Sequence, residues 1–215
     1  MIPIYLISGI GADERIFRKL NLQGYELKFI QWIPPFPNET IQDYSIRLSA
    51  QINTSDPIII GFSLGAIIAV EISHYLKAEK TIIISGIKSY KQMPVLYKIA
   101  GILKIDKLIP SCFYKHSTFI AKLFFATGSK NDQSLIGSII NHTDTNFLKW
   151  AIHGCLQWRT KMDLKNCIQI HGSADRILPI KYIQADYIIQ NGSHLLLMYN
   201  ATELSVLLQQ VLNPC

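Results

Sequence analysis

A serine hydroxyl is a weak nucleophile unless a base takes its proton, and a histidine base needs an acid to hold its tautomer. The 215-residue chain has three residues in settings that suit those roles. Ser63 lies between Gly61 and Gly65 in the stretch PIIIGFSLGAII, residues 57–68. Asp175 follows two small residues in HGSADRILP, residues 171–179, and His194 closes NGSH, residues 191–194. Their order along the chain is Ser63, Asp175, His194. His194 is the histidine that falls in a glycine-containing loop after a late strand. His171 ends a strand and reads as structural, and His74 sits on a helix as a surface or core residue. His116, His142 and His153 fall in a helix-rich middle region, where packing is the expected role and substrate contact the alternative.

The elements around these residues decide whether they meet. Residues 57–62 are short, β-branched and begun by a proline, which reads as a buried strand. From residue 64 to 77 the pattern changes to helix formers, with Glu71, His74 and Lys77 as its polar positions. Ser63 therefore sits on the turn from strand to helix. Glycine at 61 and 65 lets strand and helix approach closely, and the helix N-terminus behind the serine favours an attacked group or an anion.

The rest of the chain alternates in the same way. Strands are expected at 2–8, 25–32, 57–62, 81–85, 167–171 and 187–190. Helices are expected near 14–20, at 40–52 with Asn38 or Thr40 as cap, at 64–77 and at 202–211. Pro34, Pro35 and Pro37 break the chain after the second strand. This is an α/β pattern: a mostly parallel sheet of about six strands with helices on both faces, whose ligands bind at the carboxyl ends of the strands. Residues 88–163 interrupt the alternation with helical patches at 94–103, 117–125, 133–140 and 146–158, rich in Phe, Tyr, Leu and Trp. They read as a helical lid inserted over the carboxyl edge of one domain spanning 1–215, or as a helical layer completing the core.

Composition excludes several classes. Hydrophobic residues make up 49% and charged residues 17%, which is incompatible with a disordered chain. No apolar run reaches the roughly 18 residues of a membrane span. The first eight residues read as a strand with no basic lead segment, so a cytoplasmic protein is expected. Cys112, Cys155, Cys167 and Cys215 have no paired spacing, so no metal site or disulfide frame is expected and the thiols should be reduced. Five Asn-x-Ser/Thr sites read as chance occurrences. The net charge of +6 is spread over the chain; it fits a solvated lysine-rich surface or attraction to an acidic partner, and no nucleic-acid motif accompanies it. Gly9 and Gly11 lack a third glycine at position 14, which is Glu14, so no dinucleotide site and no cofactor is expected.

Gly61-Phe62-Ser63-Leu64-Gly65 matches the G-x-S-x-G nucleophile elbow, and Ser, Asp, His is the chain order, of the α/β-hydrolase superfamily. The chain resembles that superfamily over essentially its whole length: the elbow, both partner loops, the glycine loop and the helical insertion. The resemblance implies an α/β-hydrolase fold and a serine esterase site. Ser63 would be the nucleophile, His194 the base and then the acid, and Asp175 the residue orienting the imidazole. The oxyanion hole would use the N–H of Leu64 and that of Ile10 or Gly11, with Gly9 and Gly11 letting the backbone approach a substrate oxygen. Trp32, at the end of the second strand, could line the pocket. Asp13 reads as a helix start, and Arg176 as a salt-bridge partner of Asp175 or a substrate contact.

Three departures mark the chain as a compact relative. It begins at what resembles the family's third strand, the link from Asp175 to His194 is short and leaves little room for a helix between the last two strands, and SGIGADER stands where lipases and esterases carry a histidine-glycine loop. The implied activity is cleavage of an ester or thioester with an apolar acyl or alcohol part. The overall plan is similar to the pimeloyl-[acyl-carrier protein] methyl ester esterases, which with Lys98, Lys104, Lys107 and Lys122 raises an acidic acyl-carrier protein as partner. A ligand-binding module without catalysis, and lyase or perhydrolase chemistry on the same site, are the alternatives.

Overall fold

The computed structural model describes residues 1–109, 143–160 and 164–213. Six strands form one sheet: β1 (Ile2–Ile7), β2 (Tyr25–Phe29), β3 (Ile58–Phe62), β4 (Lys80–Ile84), β5 (Cys167–Gly172) and β6 (Tyr187–Ile189). Their order is β2-β1-β3-β4-β5-β6, and every neighbouring pair is parallel. The chain steps outward from β1 to β2, then returns across β1 to β3 and continues the other way. The winding therefore reverses between β1 and β3, whose carboxyl ends lie side by side with Ile7 opposite Gly61. Open parallel sheets bind ligands at such a reversal. The glycine loop leaves β1 there, and Ser63 leaves β3.

Alternate residues of the central strands feed two separate cores. Ile4, Leu6, Ile58, Ile60, Ile82 and Ile84 pack on one face with α5 (Leu196–Tyr199) and α6 (Ala201–Leu212). Tyr5, Ile7, Ile59 and Ile83 pack on the other with α1 (Ile41–Leu48) and α2 (Leu64–Leu76). With both faces covered, the central strands need apolar side chains at every position, which is why β3 is buried throughout. The edge strand β2 is half-buried and carries Glu26 and Lys28.

Several boundaries differ from the sequence expectation. β2 stops at Phe29 because its one sheet neighbour, β1, ends at Ile7; the last ladder bond is Ile30 N–H to Leu6 O, and Gln31 N–H turns to the Gln51 side chain. The helix expected at 14–20 is a single 3-10 turn, Glu14–Phe17, capped by Asp13, whose side chain accepts from Arg15 N–H. Thr40, not Asn38, caps α1 by accepting from Asp43 N–H, and the helix gives way to a 3-10 turn at Ser49–Gln51. Among the described residues no helix is long and apolar enough to cross a membrane.

Within 88–163 the described residues contain α3 (Val95–Ile102), a 3-10 turn at Ile105–Leu108, and α4 (Thr145–Gln157) capped by Asp144. The patches expected at 117–125 and 133–140 lie outside the described residues. Entry and exit of this excursion meet, since Tyr90 N–H donates to Thr160 O at 2.7 Å. Glu71 on α2 fixes the exit: it accepts from Trp158 Nε1 at 2.5 Å, from Gln42 Nε2 at 3.2 Å and from the Thr160 hydroxyl. The helix that begins at Ser63 thus also carries the attachment of the insertion.

The junction of β1, β3 and α2 depends on missing side chains. A Cβ on Gly65 would run into the carbonyls of Ile7 and Ser8, and one on Gly61 into the Gly65 carbonyl. Backbone cannot yield there as a flexible side chain would. Gly65→Ala is expected to lower stability by about 3 kcal/mol, the upper range for overpacking a tight core, read from urea unfolding midpoints.

Candidate active site

Ser63 has φ 55° and ψ −114°, a region that costs a side-chain-bearing residue about 1–3 kcal/mol. Its surroundings hold it there. Ser63 N–H donates to Ile84 O at 3.1 Å, and Ser63 O accepts from Ala66 N–H at 3.1 Å. The close packing at Gly61 and Gly65 leaves the turn no other path. The strained backbone lifts the hydroxyl out of the packed layers.

Three side chains then form one hydrogen-bonded line. His194 Nε2 lies 2.9 Å from Ser63 Oγ, and His194 Nδ1 lies 2.8 Å from Asp175 Oδ2. Asp175 and His194 are each 4% exposed, so water competes little for these bonds. A carboxylate only accepts, so the proton belongs on Nδ1, and Nε2 is left to accept from the serine hydroxyl. The sequence order had set these residues 112 and 19 positions apart along the chain, from Ser63 to Asp175 and from Asp175 to His194.

The loops after β5 and β6 are locked to each other. Ser173 N–H donates to Ile189 O at 3.0 Å, Ala174 N–H to Gly192 O at 2.9 Å, and Asn191 N–H to Ser173 Oγ at 2.8 Å. Asp175 Oδ1 accepts from Ile177 and Leu178 N–H at 2.8 and 2.9 Å, which aims the other oxygen at His194. His171 adds a contact the sequence reading did not foresee. Its Nε2 donates to Leu178 O at 2.8 Å and lies 3.2 Å from Asp175 Oδ2. The spacing of four between His171 and Asp175, across a strand end, was the available signal. Burial alone would raise the Asp175 carboxyl. The positive charge of His194 when its ring is protonated, and the hydrogen bonds from His171, His194 and Leu178, outweigh it and hold the carboxyl well below the usual range.

The glycine loop crosses directly beside Ser63. A Cβ on Gly9 would stand 3.1 Å from Ser63 Cβ and 3.1 Å from the Phe62 ring. Gly11 takes φ +68°, and Ala12 N–H closes the turn on Gly9 O at 3.1 Å. Leu64 opens α2, so its N–H has no acceptor within the helix and points from the positive end of the helix dipole. Ile10 is half-buried between the two glycines. Trp32 is joined to this loop: its Nε1 donates to Ser8 Oγ at 2.8 Å and Ala12 O at 3.0 Å, and its ring meets Phe147 at 5.2 Å. Thr143 Oγ1 donates to Gly11 O at 3.1 Å, so the insertion also rests on the loop.

The remaining residues sort themselves. Arg176 is exposed, and Asp175 pairs with His171 and His194. Asp13 pairs with Arg15 at 2.7 Å. His153 faces Asp106 at 2.7 Å within the insertion; His116 and His142 lie outside the described residues. Cys155 is a free thiol, and burial pushes it up to about 12. Cys112 and Cys215 lie outside the described residues. A groove of about 680 Å³ opens between residues 35–42 and α4, lined by Trp150, His153 and Asp106. None of Ser63, Asp175 and His194 lines it, so it is separate from this site.

A parallel sheet that reverses beside a strand-turn-helix serine, with aspartate and histidine on the last two strand ends, is the α/β-hydrolase fold. No family model and no curated protein sequence matches the chain. Solved structures do. A lipase-esterase related protein from Clostridium acetobutylicum has a TM-score of 0.73 at 13% identity, covering 97% of this chain and 93% of that one. An esterase from Exiguobacterium antarcticum has 0.71 at 14% identity, covering 99% and 92%. A bromoperoxidase from Bacillus anthracis has 0.66 at 18% identity, covering 98% and 91%. The likeness at these identities is one of fold.

The lowered Asp175 carboxyl has a consequence for acid stability. Because its folded value lies below the unfolded one of about 3.9, its contribution is full above that pH and is lost as pH falls through the folded value. Urea midpoints of the wild type and Asp175→Asn should differ by a constant amount near neutrality. The gap should narrow steadily below about pH 4. A gap that does not change with acidification would contradict the assigned charge.

Proposed function

We propose that the protein is a serine hydrolase that cleaves a carboxylic ester or thioester through an acyl-enzyme. The observation that carries this reading is the unbroken line from Ser63 Oγ through both ring nitrogens of His194 to Asp175, with links of 2.9 and 2.8 Å. Ser63 Oγ attacks the substrate carbonyl while His194 Nε2 takes its proton. The ionised Asp175 stabilises the resulting imidazolium. The oxyanion forms against the N–H of Leu64 and the N–H of Ile10 or Gly11, on the loop that Trp32 and Thr143 hold in place. His194 then returns the proton to the leaving alcohol or thiol. Water, activated by the same imidazole, attacks the acyl carbon and frees Ser63.

The chain acts as one domain in which 88–163 is a lid. Contact of Thr143 with the Gly11 carbonyl, and the attachment of Trp158 and Thr160 to Glu71, support that role. The aromatic side chains around the loop, Trp32 and Phe147, favour an apolar part of the substrate. The esterase and lipase names of the neighbours agree with ester cleavage. The bromoperoxidase neighbour makes perhydrolysis of the same acyl-enzyme the second reading. Product analysis with and without hydrogen peroxide separates the two.

Labelling with a fluorophosphonate, followed by peptide mass spectrometry, should place the adduct on Ser63. Ser63→Ala and His194→Ala should each lower hydrolysis of p-nitrophenyl acetate, butyrate or octanoate by about 10⁶-fold, and the double variant should lose little more. Wild-type rates in folded Ser63→Ala would sink this reading.

A further inference from the structure

Helix α3 is turned inside out. Surface helices bury their apolar stripe. Here the inward contacts are Gly101, where a Cβ would run into the Leu156 carbonyl, and Tyr97, whose hydroxyl donates to Ile177 O at 2.9 Å. The aliphatic side chains point out: Val95, Leu96, Ile99, Ile102 and Leu103, followed by Leu108 after the helix. Leu96 is 71% exposed and Leu108 78%. Of the 17 large apolar side chains exposed among the described residues, 8 lie in 95–109. So dense a patch marks a surface that meets something other than water.

The charge around the patch has one sign. Lys91, Lys104 and Lys107 are exposed and Lys98 is half-buried beside them, while the one acid between 91 and 109, Asp106, is buried against His153. Three occupants can be compared on that basis. Protein interfaces draw on Trp, Tyr and Arg and are depleted in Lys, the reverse of this outer face. A second copy across a two-fold axis would set the same lysines against each other, with no exposed acid among residues 91–109 to answer them. An anionic bilayer satisfies both features: aliphatic side chains enter the acyl boundary, and lysine stems lie along it with their ammonium groups among the phosphates.

We propose that residues 95–109 form a docking face for an anionic lipid surface. The face hangs from the loop that holds Asp175, through Tyr97 and Ile177. The inference stands apart from the hydrolase reading, because it needs no activity.

Co-sedimentation with vesicles tests it, using phosphatidylcholine alone and an equal mixture of phosphatidylcholine and phosphatidylglycerol. Binding to the mixed vesicles should be at least about tenfold tighter and should weaken with added salt, since each lysine adds roughly a factor of five to attraction. Leu96→Glu with Leu108→Glu, and separately Lys104→Glu with Lys107→Glu, should abolish it while the melting temperature stays unchanged. Ser63→Ala should bind like the wild type, so failure of the hydrolase reading leaves this result intact. Three outcomes would overturn the proposal: no binding to either vesicle, a dimer that Leu96→Glu dissociates, or capture of acidic acyl-carrier protein in place of vesicles, lost in the lysine variants.

Discussion

The close approach of three backbone segments governs this molecule. β3 ends against the first turn of α2, and that turn lies on the carboxyl end of β1, with Gly61 and Gly65 at the contacts. No side chain fits between them. The approach forces Ser63 into its positive φ, and the same approach brings the glycine loop over Ser63. The strain at one residue is thus held by packing that involves two strands and a helix. It is not a local property of the turn.

Asp175 is the second fixed point. Its carboxylate is desolvated, yet it is ionised because every oxygen has a donor: two backbone N–H groups on Oδ1, and two imidazoles facing Oδ2. A buried charge with that many partners is rigid. Rigidity of the carboxylate fixes the ring of His194 and leaves its Nε2 aimed at Ser63. The loops of Asp175 and His194 are also joined by backbone hydrogen bonds, so the short link between β5 and β6 is a gain in precision.

The insertion connects to both centres. Glu71 ties its exit to the helix behind Ser63, Thr143 ties its re-entry to the glycine loop, and Tyr97 ties α3 to the loop of Asp175. A shift of the insertion therefore cannot leave the site unaffected. An outward aliphatic face on that same insertion would couple the surface on which the protein rests to the geometry around the serine.

The sequence by itself determined the parallel α/β architecture, since unbroken β-branched runs such as 58–60 are stable only between two covered faces, and it determined the tight turn at Ser63, since only glycine fits at 61 and 65. The order Ser63, Asp175, His194 was also legible, because each stood in a loop after a strand. Tertiary structure decided the rest. The strand order, which places the loops of β1 and β3 together, depends on contacts far apart in the chain. The second imidazole on Asp175, the role of Trp32 as a support of the glycine loop and the anchoring at Glu71 are each made by side chains from different elements, and no local pattern encodes such meetings. The early end of β2 has the same cause: a strand stops where its neighbour stops, whatever its own residues prefer. The outward face of α3 was hidden in sequence for a related reason. An apolar helical period states that a stripe exists, and only the position of Gly101 against Leu156 decides which way it points.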